Sequence, residues 1–285
     1  MYPYLFGNEH IPTYGVCFIV GMVISVLYSR FIASKDSKVP KDDLLYAACF
    51  ALVGGIIGAK LLSILTSLDL IIPLHKMIKA GEIEGYTTWN LWEDIIKNGF
   101  VFYGGFLGGA GGYLIYSKVY KLRFFQLTDN AVQSLPLGHA FGRIGCLMAG
   151  CCYGRETHSH FGIVFTHPAD PYCPTGVKLY PTQLMEAIFC FLLFIFILVF
   201  KYYYKKKHNG NVREGMLTMI YLFAYGTFRY LLEFLRGDPA RRSFFVLSTS
   251  QWISILLVLG GFYLLAKILV QKEQEKDVNN TLKPC

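Results

Sequence analysis

An all-α, polytopic membrane protein is the fold class this sequence predicts, and three observations carry the prediction. Runs of about 20 apolar residues recur along the chain, the length a helix needs to cross a bilayer. Charged residues are only 16% of 285, where a soluble domain carries about a quarter. Lys and Arg collect in the short connections between the apolar runs. The mean hydropathy, +0.40, agrees.

The expected spans, about seven, are 14–31, 44–66, 100–117, 129–149, 184–204, 215–235 and 250–270. The fourth contains Gln133, Pro136, His139 and Arg143, so it is expected to be broken or partly re-entrant and to line a polar cavity. Between spans two and three, "DLIIPLHKMIK" at 69–79 suits an amphipathic helix lying in the interface. One transmembrane domain, 1–270, is expected, followed by a polar cytoplasmic tail, 271–285.

Charge sets the orientation. Arg30, Lys35, Lys38 and Lys41 fall in one connection, Lys118, Lys121 and Arg123 in another, and Lys201, Lys205, Lys206, Lys207 and Arg213 in a third. With the four lysines from Lys267 onward they share one side, which the positive-inside rule makes cytoplasmic. The N-terminus is then outside and the C-terminus inside. Segments 67–99, 150–183 and 236–249 face outward, and Arg236, Arg241 and Arg242 in the last could meet lipid phosphates.

Some function classes fall away. The net charge of +8 is spread over loops between apolar runs and is not a nucleic-acid footprint. "MYPYLFGNEH" lacks the basic start of a cleavable signal, and Cys285 fits no prenylation box. Eight cysteines in a chain this long do not make a disulfide scaffold.

Ionisable groups inside a span cost about 2.5–3.5 kcal/mol each, so every one needs a reason. Here they are Lys60, His139, Arg143, Glu186, Arg229 and Glu233. Arg143 lies between Gly142 and Gly145, where a backbone or a headgroup can come close, and a guanidinium grips phosphate with two prongs. The bland alternative is an arginine tying two helices through a carboxylate. Tyr225, Arg229 and Glu233 recur every four residues as one polar stripe, either an ion pair facing the bundle or a second phosphate-binding arginine. Pro181 suits a helix start, which puts Glu186 near the outer end of span five. Lys60 follows "GGIIGA", and "FYGGFLGGAGG" at 102–112 serves either close helix packing or a lipid path. Together these describe a central, lipid-accessible cavity whose natural ligand is an anionic phospholipid and whose arginines stabilise phosphate charge.

Five ordered segments carry a resemblance: "TYG" at 13–15, "YGGFLGG" at 103–109, Asp129 with "GHAFGRIG" ending at 145, "YPTQLMEA" at 180–187 and "YGTFRYLLEFLRGDP" at 225–239. They resemble, over most of the chain, the bacterial prolipoprotein diacylglyceryl transferase family. The resemblance implies transfer of the diacylglyceryl group of phosphatidylglycerol to the lipobox cysteine beside a prolipoprotein signal peptide, with release of glycerol phosphate, in the bacterial inner membrane. It implies catalytic roles for Arg143 and Arg229, with Tyr103 or His139 managing the proton. The substrate region would include Tyr14, Lys60, Gly104, Gly105, Gly142 and Gly145. Cys146, Cys151, Gly154, Glu186, Tyr225 and Glu233 complete it. No cofactor, no metal and no nucleic acid is expected.

Three departures from the family pattern bear on the acceptor. Tyr103 stands where the family has a histidine, and a phenol is a poor base at neutral pH. Lys60 replaces an arginine, and Cys146 and Cys151 replace an asparagine and an acidic residue. Cys146, Cys151 and Cys152 admit four readings: small buried hydrophobes, an outward disulfide involving Cys151, Cys152 or Cys173, metal ligands with His158, His160, His167 and Cys173, or a covalent role in which Cys146 or Cys151 accepts the lipid group before handing it on. The histidine and cysteine spacing matches no zinc pattern. The alternatives to the transferase are a relative with another acceptor and a redox or lipid-binding membrane protein that uses these cysteines.

Overall fold

The computed structural model describes residues 2–7, 11–36, 39–81, 83, 87–97, 101–210, 212–237, 243–244 and 246–281. In chain order its helices are α1 (Thr13–Asp36), α2 (Lys41–Thr66), α3 (Leu68–Lys79), α4 (Thr88–Lys97), α5 (Phe102–Val119), α6 (Phe124–Ala131), α7 (Leu135–Ala149), α8 (Thr182–Lys207), α9 (Met216–Leu232) and α10 (Thr249–Thr281). Strand pairs are minimal: β1 (Ile163–Val164) with β2 (Lys178–Leu179), and β3 (Ser243–Phe244) with β4 (Leu247–Ser248), both antiparallel.

The chain is an all-α polytopic membrane protein, and each expected span contains helix. Among the described residues, four stretches are long and apolar enough to cross a bilayer by composition alone: Thr13–Phe31, Lys41–Thr66, Thr182–Lys207 and Thr249–Gln274. α5 is diluted by glycine, and α7 and α9 are short, at 15 and 17 residues. The fourth span is broken, as its sequence predicts. α6 stops at Ala131 and α7 begins at Leu135 with Pro136 in its first turn, where a missing N–H costs nothing. The amphipathic segment forms α3. α10 runs past residue 270 to Thr281, so the polar end continues the last helix that far.

The chain divides into two compact units, Val39–Phe124 and Met1–Lys38 with Phe125–Cys285. In the first, α2 and α5 meet along a glycine seam. Gly54 and Gly58 oppose Gly104 and Gly108, and a Cβ added at Gly58 would come within 2.9 Å of the Gly108 Cα. The spacing of four residues on both helices lets the backbones touch without side chains between them. Of the two alternatives for the 102–112 glycines, Gly104, Gly108 and Gly112 follow the packing one. Tyr116 Oη donates to Asp43 Oδ1 at 2.7 Å in the same unit.

In the second unit α1 lies on α7, α7 on α8, α8 on α9 and α9 on α10. Gly21 and Gly138 allow the first of these approaches, and Gly145 faces the Tyr14 backbone and Cys17. Val132, Leu193, Ile197 and Leu217 form one buried cluster, and Tyr153, Phe165, Cys173 and Leu179 form another within segment 150–183. Asp129, at the end of α6, caps the start of α9. Its Oδ2 accepts from the Gly215 N–H at 2.7 Å, and its Oδ1 accepts from the Thr218 N–H at 2.8 Å and the Thr218 hydroxyl at 2.6 Å. A carboxylate suits the positive end of a helix.

Candidate active site

Glu186 organises the first of two polar centres. It lies in the second turn of α8 and is 1% exposed. Its Oε2 accepts from Arg143 Nε at 3.1 Å, and its Oε1 accepts from Tyr225 Oη at 2.9 Å. His139 Nε2 stands 3.5 Å from Oε1. His139 and Arg143 are four residues apart on α7 and so share the face that meets α8. Beyond Glu186, Arg143 has no ion pair or hydrogen bond among the described residues. A Cβ added at Gly142 would meet nothing within 4 Å, so the backbone beside Arg143 borders open space.

Arg229 and Glu233 make the second centre. Arg229 Nη1 donates to Glu233 Oε2 at 2.8 Å across one turn, and Nη2 donates to Ser250 Oγ at 2.9 Å. Glu233 Oε1 accepts from Ser248 Oγ at 2.6 Å. Ser248 and Gln251 cap the start of α10 reciprocally, through Gln251 N–H to Ser248 Oγ at 3.2 Å and Ser248 N–H to Gln251 Oε1 at 2.9 Å. Both terminal nitrogens of Arg229 are therefore engaged. Tyr225, first grouped with Arg229 and Glu233 as one stripe, bonds to the other centre.

A short loop follows α7. Thr182 Oγ1 donates to the Cys152 carbonyl at 2.8 Å and Gln183 Nε2 to the Cys151 carbonyl at 2.7 Å, which brace this loop on the first turn of α8. The thiol sulfurs of Cys146, Cys151 and Cys152 all lie within 4.8 Å of one another. The Cys151 thiol donates to the Cys146 carbonyl at 3.8 Å, and the charges of Arg236 and Arg143 act on Cys152. Cys173 differs. It is packed into the cluster within segment 150–183, and burial pushes its thiol up to about 11. An open apolar groove of about 650 Å³ runs between α8 and α9, lined by Phe189, Phe196, Phe200, Met219, Phe223 and Phe228 among others.

Residues 3–267 match the sequence model of a family described as prolipoprotein diacylglyceryl transferase. The chain belongs to that family. It is 38% identical over 261 residues to phosphatidylglycerol–prolipoprotein diacylglyceryl transferase 2 of Clostridium perfringens (strain 13 / Type A), covering 91% of each chain. It is 35% identical over 259 residues to the enzyme of that name, without the numeral, from Clostridium tetani, covering 91% of this chain and 93% of the relative. The Chlorobaculum tepidum protein so named is 31% identical over 276 residues, 93% of this chain and 89% of its own. The chain is thus a membrane-embedded transferase, as its motifs implied.

Within this transferase the site residues expected from sequence separate into groups. His139, Arg143, Glu186 and Tyr225 converge on one carboxylate. Arg229 and Glu233 form their own pair. Tyr14, 44% exposed, lies over Gly145 and within electrostatic reach of Arg143, Cys146 and Cys151. Gly154 is held in an extended strip: its N–H donates to the Tyr180 carbonyl at 2.9 Å and it bridges to Arg236. Lys60, Gly104 and Gly105 lie on α2 and α5 in the other unit, with Tyr103 in the first turn of α5 and its side chain outside the described residues. Arg236 is buried, while Arg241 and Arg242 fall outside the described residues. Sequence reasoning missed Thr182, Gln183, Ser248 and Ser250. The Ser248-x-x-Gln251 capping box was a readable signal for Ser248, which bonds Glu233, the carboxylate that holds Arg229.

Proposed function

We propose that this chain transfers the diacylglyceryl group of phosphatidylglycerol to a cysteine thiol at the signal-peptide region of prolipoproteins, and that Arg143 is its principal phosphate ligand. One observation carries the assignment of Arg143. Its guanidinium is anchored through Nε by Glu186 and is otherwise uncommitted among the described residues, so its remaining donors can grip a phosphate. Glu186, itself fixed by Tyr225 and approached by His139, orients that guanidinium and balances its charge before lipid arrives. Arg229, with both ends engaged, supports the site through its field.

The reaction follows from this arrangement. The acceptor sulfur attacks the glyceryl carbon next to the phosphate, a carbon–sulfur bond forms, and the carbon–oxygen bond to phosphate breaks. Charge grows on the leaving glycerol phosphate, and a guanidinium held in low dielectric stabilises it. The acyl chains have a path nearby. The apolar groove begins at Phe189, one turn beyond Glu186, and reaches Phe200, roughly 16 Å further at 1.5 Å per residue. The N-terminus lies outside and the C-terminus in the cytoplasm, which puts segment 150–183 where secreted precursors emerge.

The test is complementation. Cells depleted of their own transferase and expressing this chain should again label lipoproteins from radiolabelled phosphatidylglycerol. Good expression in the membrane with no labelling would overturn the assignment.

A further inference from the structure

The three thiols after Arg143 make no hydrogen bond to its guanidinium, and local backbone geometry assembles them. α7 ends in a left-handed Gly150, with φ 74°. The Gly150 N–H donates to the Leu147 carbonyl at 3.2 Å and the Cys151 N–H to the Cys146 carbonyl at 3.2 Å. This double bond pattern is a Schellman ending, which sets the residue after the glycine against the one five places before it, usually as an apolar pair. Here both are cysteines, Cys146 and Cys151. Cys152 follows at φ 62° and adds the third sulfur. Thr182 and Gln183 hold the carbonyls of Cys152 and Cys151, so the arrangement is braced rather than loose.

We propose that Cys146, Cys151 and Cys152 bind one Zn²⁺ ion through three thiolates and leave its fourth position for the thiol of the acceptor cysteine. Three features support this. Tetrahedral zinc with Zn–S of about 2.3 Å needs sulfurs about 3.8 Å apart, and the cluster lies within 4.8 Å. No fourth histidine, cysteine or carboxylate joins the group among the described residues. Structural zinc takes four protein ligands, whereas a three-ligand set leaves a place for substrate. Third, three thiolates around Zn²⁺ carry one net negative charge, and the cations beside Cys152, Arg236 and Arg143, offset it.

The role assigned to the fourth position rests on the transferase reading. A thiol bound to zinc loses its proton to water and stays a thiolate. It then attacks the glyceryl carbon, the carbon–oxygen bond breaks, and its electron pair leaves on glycerol phosphate. The metal would thus supply the thiolate in a chain whose Tyr103 replaces the histidine of the family pattern.

The test uses the full-length protein, purified in detergent under reducing conditions. Metal analysis should find about one Zn²⁺ per chain. Cys146→Ser, Cys151→Ser and Cys152→Ser should each lower it at least tenfold, and Cys49→Ser should leave it unchanged. Loaded with Co²⁺ instead, the wild-type protein should show thiolate-to-cobalt charge-transfer absorption. A synthetic lipobox peptide should shift the cobalt d–d bands, and its Cys→Ser version should not. Metal far below stoichiometry without the charge-transfer band, or a disulfide among these cysteines in protein trapped in the membrane with a thiol-blocking reagent, would overturn the site. Cobalt binding without a peptide-dependent shift would overturn the open position. None of these readouts needs turnover. A chain that binds zinc and peptide yet never transfers lipid removes the transferase reading alone; undiminished transfer by metal-free cysteine variants removes the zinc role alone.

Discussion

Arg143, partly buried, and Arg229, buried, are each paired with a glutamate, yet their surroundings differ. Arg143 is held from another helix, through its inner nitrogen, by Glu186 on α8. Arg229 is held from its own turn by Glu233 and closed off at the other terminal nitrogen by Ser250 on α10. The first pair leaves donors for a ligand. The second fastens α9 to the start of α10 through the Ser248–Gln251 cap. An arginine–glutamate pair is thus not one device: which nitrogens the carboxylate takes decides whether the cation keeps donors free for a ligand or spends them on structure.

The sharpest way to break the comparison is at the cations themselves. Arg143→Gln is expected to lower the transfer rate about 10²–10³-fold, the scale of losing one oriented charge-stabilising donor, with little change in membrane insertion. Arg143→Lys should recover under a tenth of that loss, because an ammonium lacks the two-pronged geometry. Steady-state transfer from labelled phosphatidylglycerol measures both, and a fully active Lys variant would remove the two-pronged grip.

Glu186→Ala comes next. It strands the Arg143 charge in the bilayer and should cost about 3–5 kcal/mol of stability. Thermal unfolding in detergent should fall accordingly, and Glu186→Gln, which keeps a hydrogen-bond acceptor but not the countercharge, should restore only part of the stability and none of the rate. Arg229→Gln should lower transfer only about tenfold while lowering the unfolding temperature more than Arg143→Gln does. Equal profiles for the two arginine variants would erase the distinction. Ser250→Ala should have the smallest effect, about 0.5–1.5 kcal/mol in stability and a change in rate of a few fold, since it removes a single hydrogen bond to Arg229.

The sequence made some of this architecture readable and hid the rest for physical reasons. Apolar length alone located α2 and α8, and Gln133 with Pro136 announced the break before α7. The Arg229–Glu233 pair followed from a spacing of four on one helix. The Arg143–Glu186 pair did not, because it depends on how α7 packs against α8, which no local period encodes. Likewise the glycines of 102–112 advertised close packing without naming Gly54 and Gly58 as their opposites. The thiols brought together by the Schellman ending were hidden by habit: Cys146 and Cys151 are five apart, outside the spacings usually searched for zinc.

Asp129 gives α9 a fixed azimuth. With its first turn latched through Gly215 and Thr218, the helix resembles a keyed shaft, and Tyr225 arrives at Glu186 two turns along it. Each residue advances the angle by about 100°, so one inserted residue between Thr218 and Tyr225 would swing the phenol away from its carboxylate and carry Arg229 off Ser250 in the same rotation. The two cationic centres are therefore timed to each other by one distant carboxylate that touches neither.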